Sequence, residues 1–266
     1  MTDTQAAELL AAVEQSPAAA AAHDRAGWAG LFSADGRVED PVGSRPHVGP
    51  EQIGRFYDTF IGPRDITFHR DLDIVRGTTV VRDLQLEVAM GPSVTMHIPA
   101  ILRYDLQEST GGWELQHLRA YWELPAMVGQ FLGNGVAALP AGVGLSRSLL
   151  RNQRLAGTAG FVSGFRRPGS RGKKTVETFL ETIAAGNTAT ARGLLSPSAT
   201  VSYGDDTAVD LAELGTQLDG ARLTKMLAAG STVAVSITSA QRRAVLFFDV
   251  IGRGASISEV RYFPGA

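Results

Sequence analysis

The chain has no cysteine. That excludes disulfides and thiolate metal ligands and leaves a reducing compartment open to it. Histidine is scarce, and no His/Asp/Glu cluster has ligand spacing, so no metal is expected. Acidic residues are missing from one long stretch. Between Leu124 and Val176 there is no Asp or Glu, while Arg147, Arg151, Arg154, Arg166, Arg167, Arg171, Lys173 and Lys174 all fall there. A basic middle therefore separates two acidic parts in a chain whose net charge is only −2. The first residues, Met1-Thr2-Asp3-Thr4-Gln5, lack an apolar signal core, which makes the cytoplasm the expected location.

With 266 residues, 44% hydrophobic and 20% charged, the chain is long enough for two globular domains. Its organising stretch is Val38-Glu39-Asp40-Pro41-Val42-Gly43-Ser44, followed by Glu51-Gln52-Ile53-Gly54-Arg55-Phe56-Tyr57. A short strand delivers the Asp40 carboxylate against a proline that ends regular pairing. A helix over Pro50–Phe60 then carries Ile53, Phe56, Tyr57 and Phe60 on one face at i, i+3, i+4 and i+7.

Ahead of this stretch, Ala6–Phe32 reads as helices interrupted at Ser16-Pro17. After Pro63 the pattern turns to strands over Ile66–Val75, Thr78–Met90, Ser93–Leu106 and Trp113–Leu124. Helices followed by a curved antiparallel sheet make an α+β domain, folded as a cone around a pocket. From Thr175 a helix returns, then strands over Ala199–Tyr203, Thr232–Ser239, Arg243–Ile251 and Ala255–Phe263.

This last part reads as a shortened repeat. Gly30-Leu31-Phe32-Ser33 aligns with Gly193-Leu194-Leu195-Ser196 at an offset of 163, which sets Val38 on Val201 and Asp40 on Tyr203. Arg119-Ala120-Tyr121-Trp122 likewise rhymes with Arg261-Tyr262-Phe263. The second copy has no carboxylate at the Asp40 point, so its expected role is structural, as a pseudo-dimer partner or lid. The expected division is 1–125, a basic Gly/Ala/Arg-rich helical linker 126–172, and a degenerate copy 173–266.

The Val38–Gly43 stretch, the Gly49-Pro50-Glu51-Gln52-Ile53 helix start, Phe56-Tyr57 and the Ala120-Tyr121-Trp122 strand resemble the bacterial ketosteroid isomerases. These belong to the nuclear transport factor 2-like (SnoaL-like) fold. The resemblance covers about residues 8–124, and the last domain shares it loosely. It implies a cone-shaped domain with an apolar pocket, in which an aspartate shuttles a proton between two carbons of a steroid enone without a cofactor. The general pattern is an Asp base beside an oxyanion hole of a tyrosine and a protonated aspartic acid. By resemblance the base is Asp40, a supporting tyrosine is Tyr57 and a pocket tryptophan is Trp122. The family's oxyanion tyrosine falls on Ser16, its next supporting tyrosine on Phe32 and its protonated aspartic acid on Ala100, so three polar positions are small or apolar here. The donor left for an enolate is then Tyr57, Trp122, Ser16 or water. Leu118, Met96 and Phe56 are the expected remaining walls.

Strand alternation from Ala100 sends Ile98 and Leu102 inward, and His97, Arg103 and Asp105 outward. From Trp122 it turns Leu118 and Ala120 inward and His117 outward. The two histidines and the Arg103/Asp105 pair are thereby set aside as site residues. For the basic middle, Leu124–Ser146 is about 23 uncharged residues but is broken by glycines and prolines. Peripheral contact with an anionic membrane and a tether between two acidic domains stay open; nucleic acid is not an expected partner. The function expected is a ketosteroid-isomerase-like protein for a steroid or similar polycyclic or isoprenoid ligand. Its rival is a non-catalytic carrier or sensor of apolar molecules, and the copies pair within one chain or between chains.

Overall fold

A computed structural model describes residues 2–91, 94–133, 135, 168–240 and 242–265. The chain divides into two units, Met1–Phe165 and Arg166–Ala266.

In the first unit, helix α1 (Asp3–Ala21) begins at Thr2, whose Oγ1 accepts the Gln5 N–H at 3.2 Å. The expected break at Ser16-Pro17 does not occur, and α1 runs through Pro17. Proline removes one backbone donor, but Leu9, Val13, Ser16 and Ala20 stay buried on both sides of it, so packing carries the helix on. Helix α2 (Arg25–Gly30) is capped by Asp24, which accepts the Gly27 N–H at 2.8 Å. Strand β1 (Phe32–Glu39) starts at the residue expected to end the helix. Strand β2 (His47–Val48) and helix α3 (Gly49–Phe56) follow, and α3 continues as a π-helical turn over Tyr57–Ile61.

Four long strands complete the sheet: β3 (Asp65–Arg76), β4 (Thr79–Ala89), β5 (Thr95–Ser109) and β6 (Gly112–Tyr121). Helix α4 (Leu124–Gly133) comes after them. The order across the sheet is β2-β1-β6-β5-β4-β3. Its pairs are antiparallel except β1 with β6, which run parallel, because the rest of the sheet and α3 lie between them in the chain. Period-two alternation puts Ile98, Ala100, Leu102 and Tyr104 on the core side of β5, and Leu86 pairs with Ile98 on one side and Phe68 on the other. The helices α1, α2 and α3 supply the opposing apolar faces of this core.

The second unit follows the same path. Helices α5 (Gly169–Ala184) and α6 (Thr188–Gly193) lead into β7 (Leu195–Tyr203), β8 (Thr207–Ala208) and α7 (Leu211–Gln217). Strands β9 (Arg222–Ala229), β10 (Thr232–Thr238), β11 (Arg243–Ile251) and β12 (Ser256–Pro264) complete a sheet of order β8-β7-β12-β11-β10-β9. The offset of 163 holds, since α2 and α6 end at Gly30 and Gly193, and Val38 pairs with Leu118 as Val201 pairs with Val260. A shared polar cluster marks both sheets. Thr79 donates to Asp105 at 3.0 Å and Arg119 reaches its other oxygen at 2.6 Å. Thr232 and Arg261 make the same pair of contacts to Asp249 at 2.5 and 2.8 Å.

The stretch expected as linker divides differently. Leu124–Gly133 is α4, whose Gln130 side chain accepts the His97 N–H at 3.1 Å, so it packs on the first unit. Arg171, Lys173 and Lys174 fall on α5. Arg147, Arg151, Arg154, Arg166 and Arg167, and with them the reading of a membrane-contacting linker, lie outside the described residues. Among the described residues no helix is long and apolar enough to cross a membrane.

Candidate functional site

The cone of the first unit encloses a cavity of about 130 Å³, partly open to solvent. Asp40 lines it with Trp122, Leu118 and Ala120 from the β1–β6 end. Ser16 and Trp28 from the first helices, Phe56, Phe60 and Arg64 from the α3 side, and Met127 from α4 form other walls. Most of the remaining lining is aliphatic or aromatic side chain from β3, β4 and β5.

Asp40 is placed by the way β1 ends. Glu39 pairs with Arg119, Pro41 has no N–H to offer, and Val42 resumes pairing with the Ala120 carbonyl at 2.9 Å. The intervening carboxylate is thus held beside β6, with a cis peptide to Pro41. Its Oδ1 accepts the Trp122 indole N–H at 2.6 Å. Burial pushes the Asp40 pKa up to about 6, and the Trp122 hydrogen bond opposes that rise. A carboxylate in this condition can take a proton and return it near neutral pH.

A second polar group faces the cavity from β5. Tyr104 lines it and is 1% exposed. Its hydroxyl meets the Ser16 side chain, whose Oγ also accepts the Trp28 indole N–H at 3.1 Å. Burial holds the Tyr104 pKa above the ordinary phenol range, with Arg82 and Ser16 opposing it, so the phenol stays protonated. An indole N–H can only donate, whereas a serine hydroxyl both accepts and donates. Ser16 can therefore take the Trp28 hydrogen, pass its own to the Tyr104 oxygen and leave the phenol hydrogen free for a ligand. Arg82 lies behind this group with its side chain 2% exposed, bound to Asp73 at 2.7 and 2.9 Å and to Glu14 at 2.8 Å.

Of the residues expected from sequence, Asp40, Trp122, Leu118, Phe56 and Ser16 line the cavity. Tyr57, Phe32, Met96 and Ala100 lie in the surrounding apolar core and do not line it. For Tyr57 the cause is the π-helical turn, which adds a residue to the turn after Phe56 and leaves Phe56, Phe60 and Ile61 facing the cavity. The Tyr57 ring packs on Trp28 at 5.6 Å, and its buried hydroxyl has no hydrogen-bond partner among the described residues. Gly62 makes room for that ring, since a Cβ there would come within 2.8 Å of Tyr57 Cε1. Phe32 also packs on Trp28, with ring centroids 5.1 Å apart. Ala100 is fully buried between the longer Ile98 and Leu102, and Met96 is 1% exposed.

His97 and His117 do not line the cavity, and Arg103 pairs with Asp105 away from it. Among the described residues no three His, Asp or Glu side chains are grouped to hold a metal. Of the wall residues that carry a side-chain nitrogen or oxygen, three escaped sequence reasoning: Tyr104, Trp28 and Arg64. Tyr104 had a usable signal, since the alternation that turns Ala100 and Leu102 inward also turns Tyr104 inward. Trp28 and Arg64 sit in a short helix and a charged turn, where no periodicity marks them. In the second unit Tyr203 stands at the Asp40 point and its ring lies 5.5 Å from that of Tyr262, its partner in register on β12.

Residues 8–128 match the nuclear transport factor 2 (NTF2) domain family. The first unit belongs to the nuclear transport factor 2-like superfamily. Its cone, with α1 to α3 against a curved six-stranded sheet, carries the cavity of this nuclear transport factor 2-like domain. Among solved structures, the chain is similar to Delta 5-3-ketosteroid isomerase from Mycobacterium sp., at 27% identity over 45% of this chain and 96% of that one, with a TM-score of 0.41. It is similar to RV0760c from Mycobacterium tuberculosis in complex with estradiol-17beta-hemisuccinate, at 25% identity over 44% and 95%, with a TM-score of 0.40. An LEH-like epoxide hydrolase of M. tuberculosis is 17% identical over 51% and 97%, with a TM-score of 0.42. No curated protein sequence matches the chain.

Proposed function

We propose that the first unit is a ketosteroid-isomerase-like proton shuttle for a steroid or similar polycyclic or isoprenoid ketone. The observation that supports this most is Asp40, a carboxylate raised to about 6 on the wall of an apolar cavity. In this reading Asp40 removes a proton from the carbon next to the ligand carbonyl and returns it farther along the conjugated system. Trp122 holds one carboxylate oxygen through the cycle, which leaves the other to carry the proton. Negative charge collects on the ligand oxygen as the proton leaves, and a donor there must strengthen its bond in the transition state. Tyr104, supported by Ser16 and Trp28, takes the donor role expected of Tyr57. No cofactor enters these steps.

The cavity volume of about 130 Å³ falls below the roughly 300–1,000 Å³ of common ligand pockets. A polycyclic ligand therefore places one end inside and extends through the mouth, or displaces the unbranched side chains of Met90 and Met127.

The test is isomerisation of a 5-ene-3-ketosteroid followed by ultraviolet absorbance. Wild type should exceed the Asp40→Asn variant by about 10²–10⁴-fold, the usual contribution of a general base. Equal background rates, with the steroid still bound by both, would leave the cavity to a carrier or sensor of apolar molecules.

A further inference from the structure

Arg64 is the one cation among the cavity-lining residues, and no carboxylate pairs with it among the described residues. Its NH1 donates to the Thr59 and Phe60 carbonyls at 2.7 and 2.9 Å, at the end of the π-helical turn. Its Nε lies 3.2 Å from Met90 Sδ. These contacts anchor the guanidinium and leave NH2, with two hydrogens, without an acceptor among the described residues. The neighbouring carboxylate of Asp65 is turned away to His23, 3.1 Å off and well exposed. Arg25 and Arg82 show the ordinary arrangement, the first forked onto Asp58 and the second onto Asp73. Burial pushes the Arg64 pKa down with no opposing cause, whereas carboxylate partners raise those of Arg25 and Arg82.

We propose that Arg64 is an anion subsite at the mouth of the cavity, which seats the carboxylate of a ligand whose apolar body extends toward Asp40. This rests on the proposed function, which it deepens by naming the ligand as an acid. Helix capping accounts for NH1 alone; it leaves a half-buried charge and two donors facing a cavity that is otherwise mostly apolar. Asp40 and Arg64 line the same cavity from different walls, Asp40 from the β1–β6 end and Arg64 from the turn after α3. A fused-ring or isoprenoid ligand can present its carbonyl to one and its acid group to the other. Its acid group must lie at the end remote from the carbonyl on which Asp40 acts.

The probes are a 3-oxo-4-ene steroid 17β-carboxylic acid and its methyl ester, titrated against the full chain by quenching of tryptophan fluorescence. Trp28 and Trp122 both line the cavity and report on it. Wild type should bind the acid about 10- to 100-fold more tightly than the ester, the usual range for hydrogen bonds to a charged group. Salt should narrow the ratio. Arg64→Gln should bring it to about one by weakening the acid, with the ester held within about threefold. Arg64→Lys, which keeps charge without the fork, should restore part of it. Equal binding of acid and ester by wild type overturns the proposal and leaves the cavity reading intact, as does a ratio that survives in Arg64→Gln. Should that variant fail to fold, the wild-type ratio and its salt dependence decide alone. Binding of neither probe overturns both.

Discussion

Trp122 donates its indole N–H to Asp40 Oδ1 at 2.6 Å, across 82 residues of chain. The bond stabilises the charged carboxylate, while burial stabilises the neutral acid, and burial prevails. Trp122→Phe keeps an apolar wall and removes the donor. The Asp40 pKa should then rise beyond its present value of about 6. Nuclear magnetic resonance titration of ¹³C-labelled aspartate reads this directly, and in the isomerase assay the acid limb of kcat/KM should move toward neutral pH. A titration unchanged from wild type would mean that the indole does not tune this group.

The same shift has a cost in stability. Asp40 holds its proton more tightly in the folded chain, about 6 against 3.8, so its contribution is fully present below about pH 4 and lost as pH rises through 6. Asparagine cannot ionise and still accepts the Trp122 hydrogen. Asp40→Asn should therefore be more stable than wild type at pH 7, by up to about 3 kcal/mol. The gain should vanish below about pH 4. Urea unfolding at the two pH values checks it, and a variant less stable than wild type at pH 7 would contradict the raised pKa.

Two tyrosines should separate by role. Tyr104→Phe removes the proposed oxyanion donor, and isomerisation should fall by about 10²–10³-fold with neutral ligand affinity little changed. Tyr57→Phe removes a buried hydroxyl that has no hydrogen-bond partner among the described residues. It should leave the rate within a few-fold and leave stability unchanged or raised by about 1 kcal/mol. The reverse order of effects on rate would return the donor role to Tyr57.

The legible parts of this chain were those written in strict periods. The alternation of β3 to β6 and the i, i+3, i+4 face of α3 located the sheet, the cone and the strand that ends at Asp40. The repeat was legible because Gly30 and Gly193 both close a short helix before a strand. What escaped had a local reason. Strand β9 carries Arg222 and Lys225 and a half-exposed pattern, and it lies at the sheet edge, so it reads as loop. Pro17 reads as a break because a sequence does not display the packing that holds α1 together. Tyr57 was expected on the cavity because an α-helical period was carried through a turn that widens to π. Arg64 is one arginine between Pro63 and Asp65, and only the fold reveals that it faces an apolar cavity.

Arg82 separates the fold from the chemistry in one further way. Its guanidinium lies behind Tyr104, with the side chain 2% exposed, and Asp73 beneath it is 12% exposed. A buried pair of this kind adds little net stability compared with apolar residues, yet removing one partner leaves an uncompensated charge. Arg82→Met should destabilise the first unit by about 3–5 kcal/mol in urea unfolding. Among the described residues Asp73 then keeps only the exposed Arg70, at 3.3 Å, and neutralising it in Arg82→Met with Asp73→Asn should recover much of that loss, with Glu14 left to turn toward solvent from a side chain already 56% exposed. Tyr104 should remain protonated in both variants, because burial is the larger cause of its raised pKa and Arg82 only opposes it. The folded fraction should then retain most of its isomerase rate. A rate lost in proportion to Tyr104→Phe, in protein shown to be folded, would instead make Arg82 a positioning residue for the phenol.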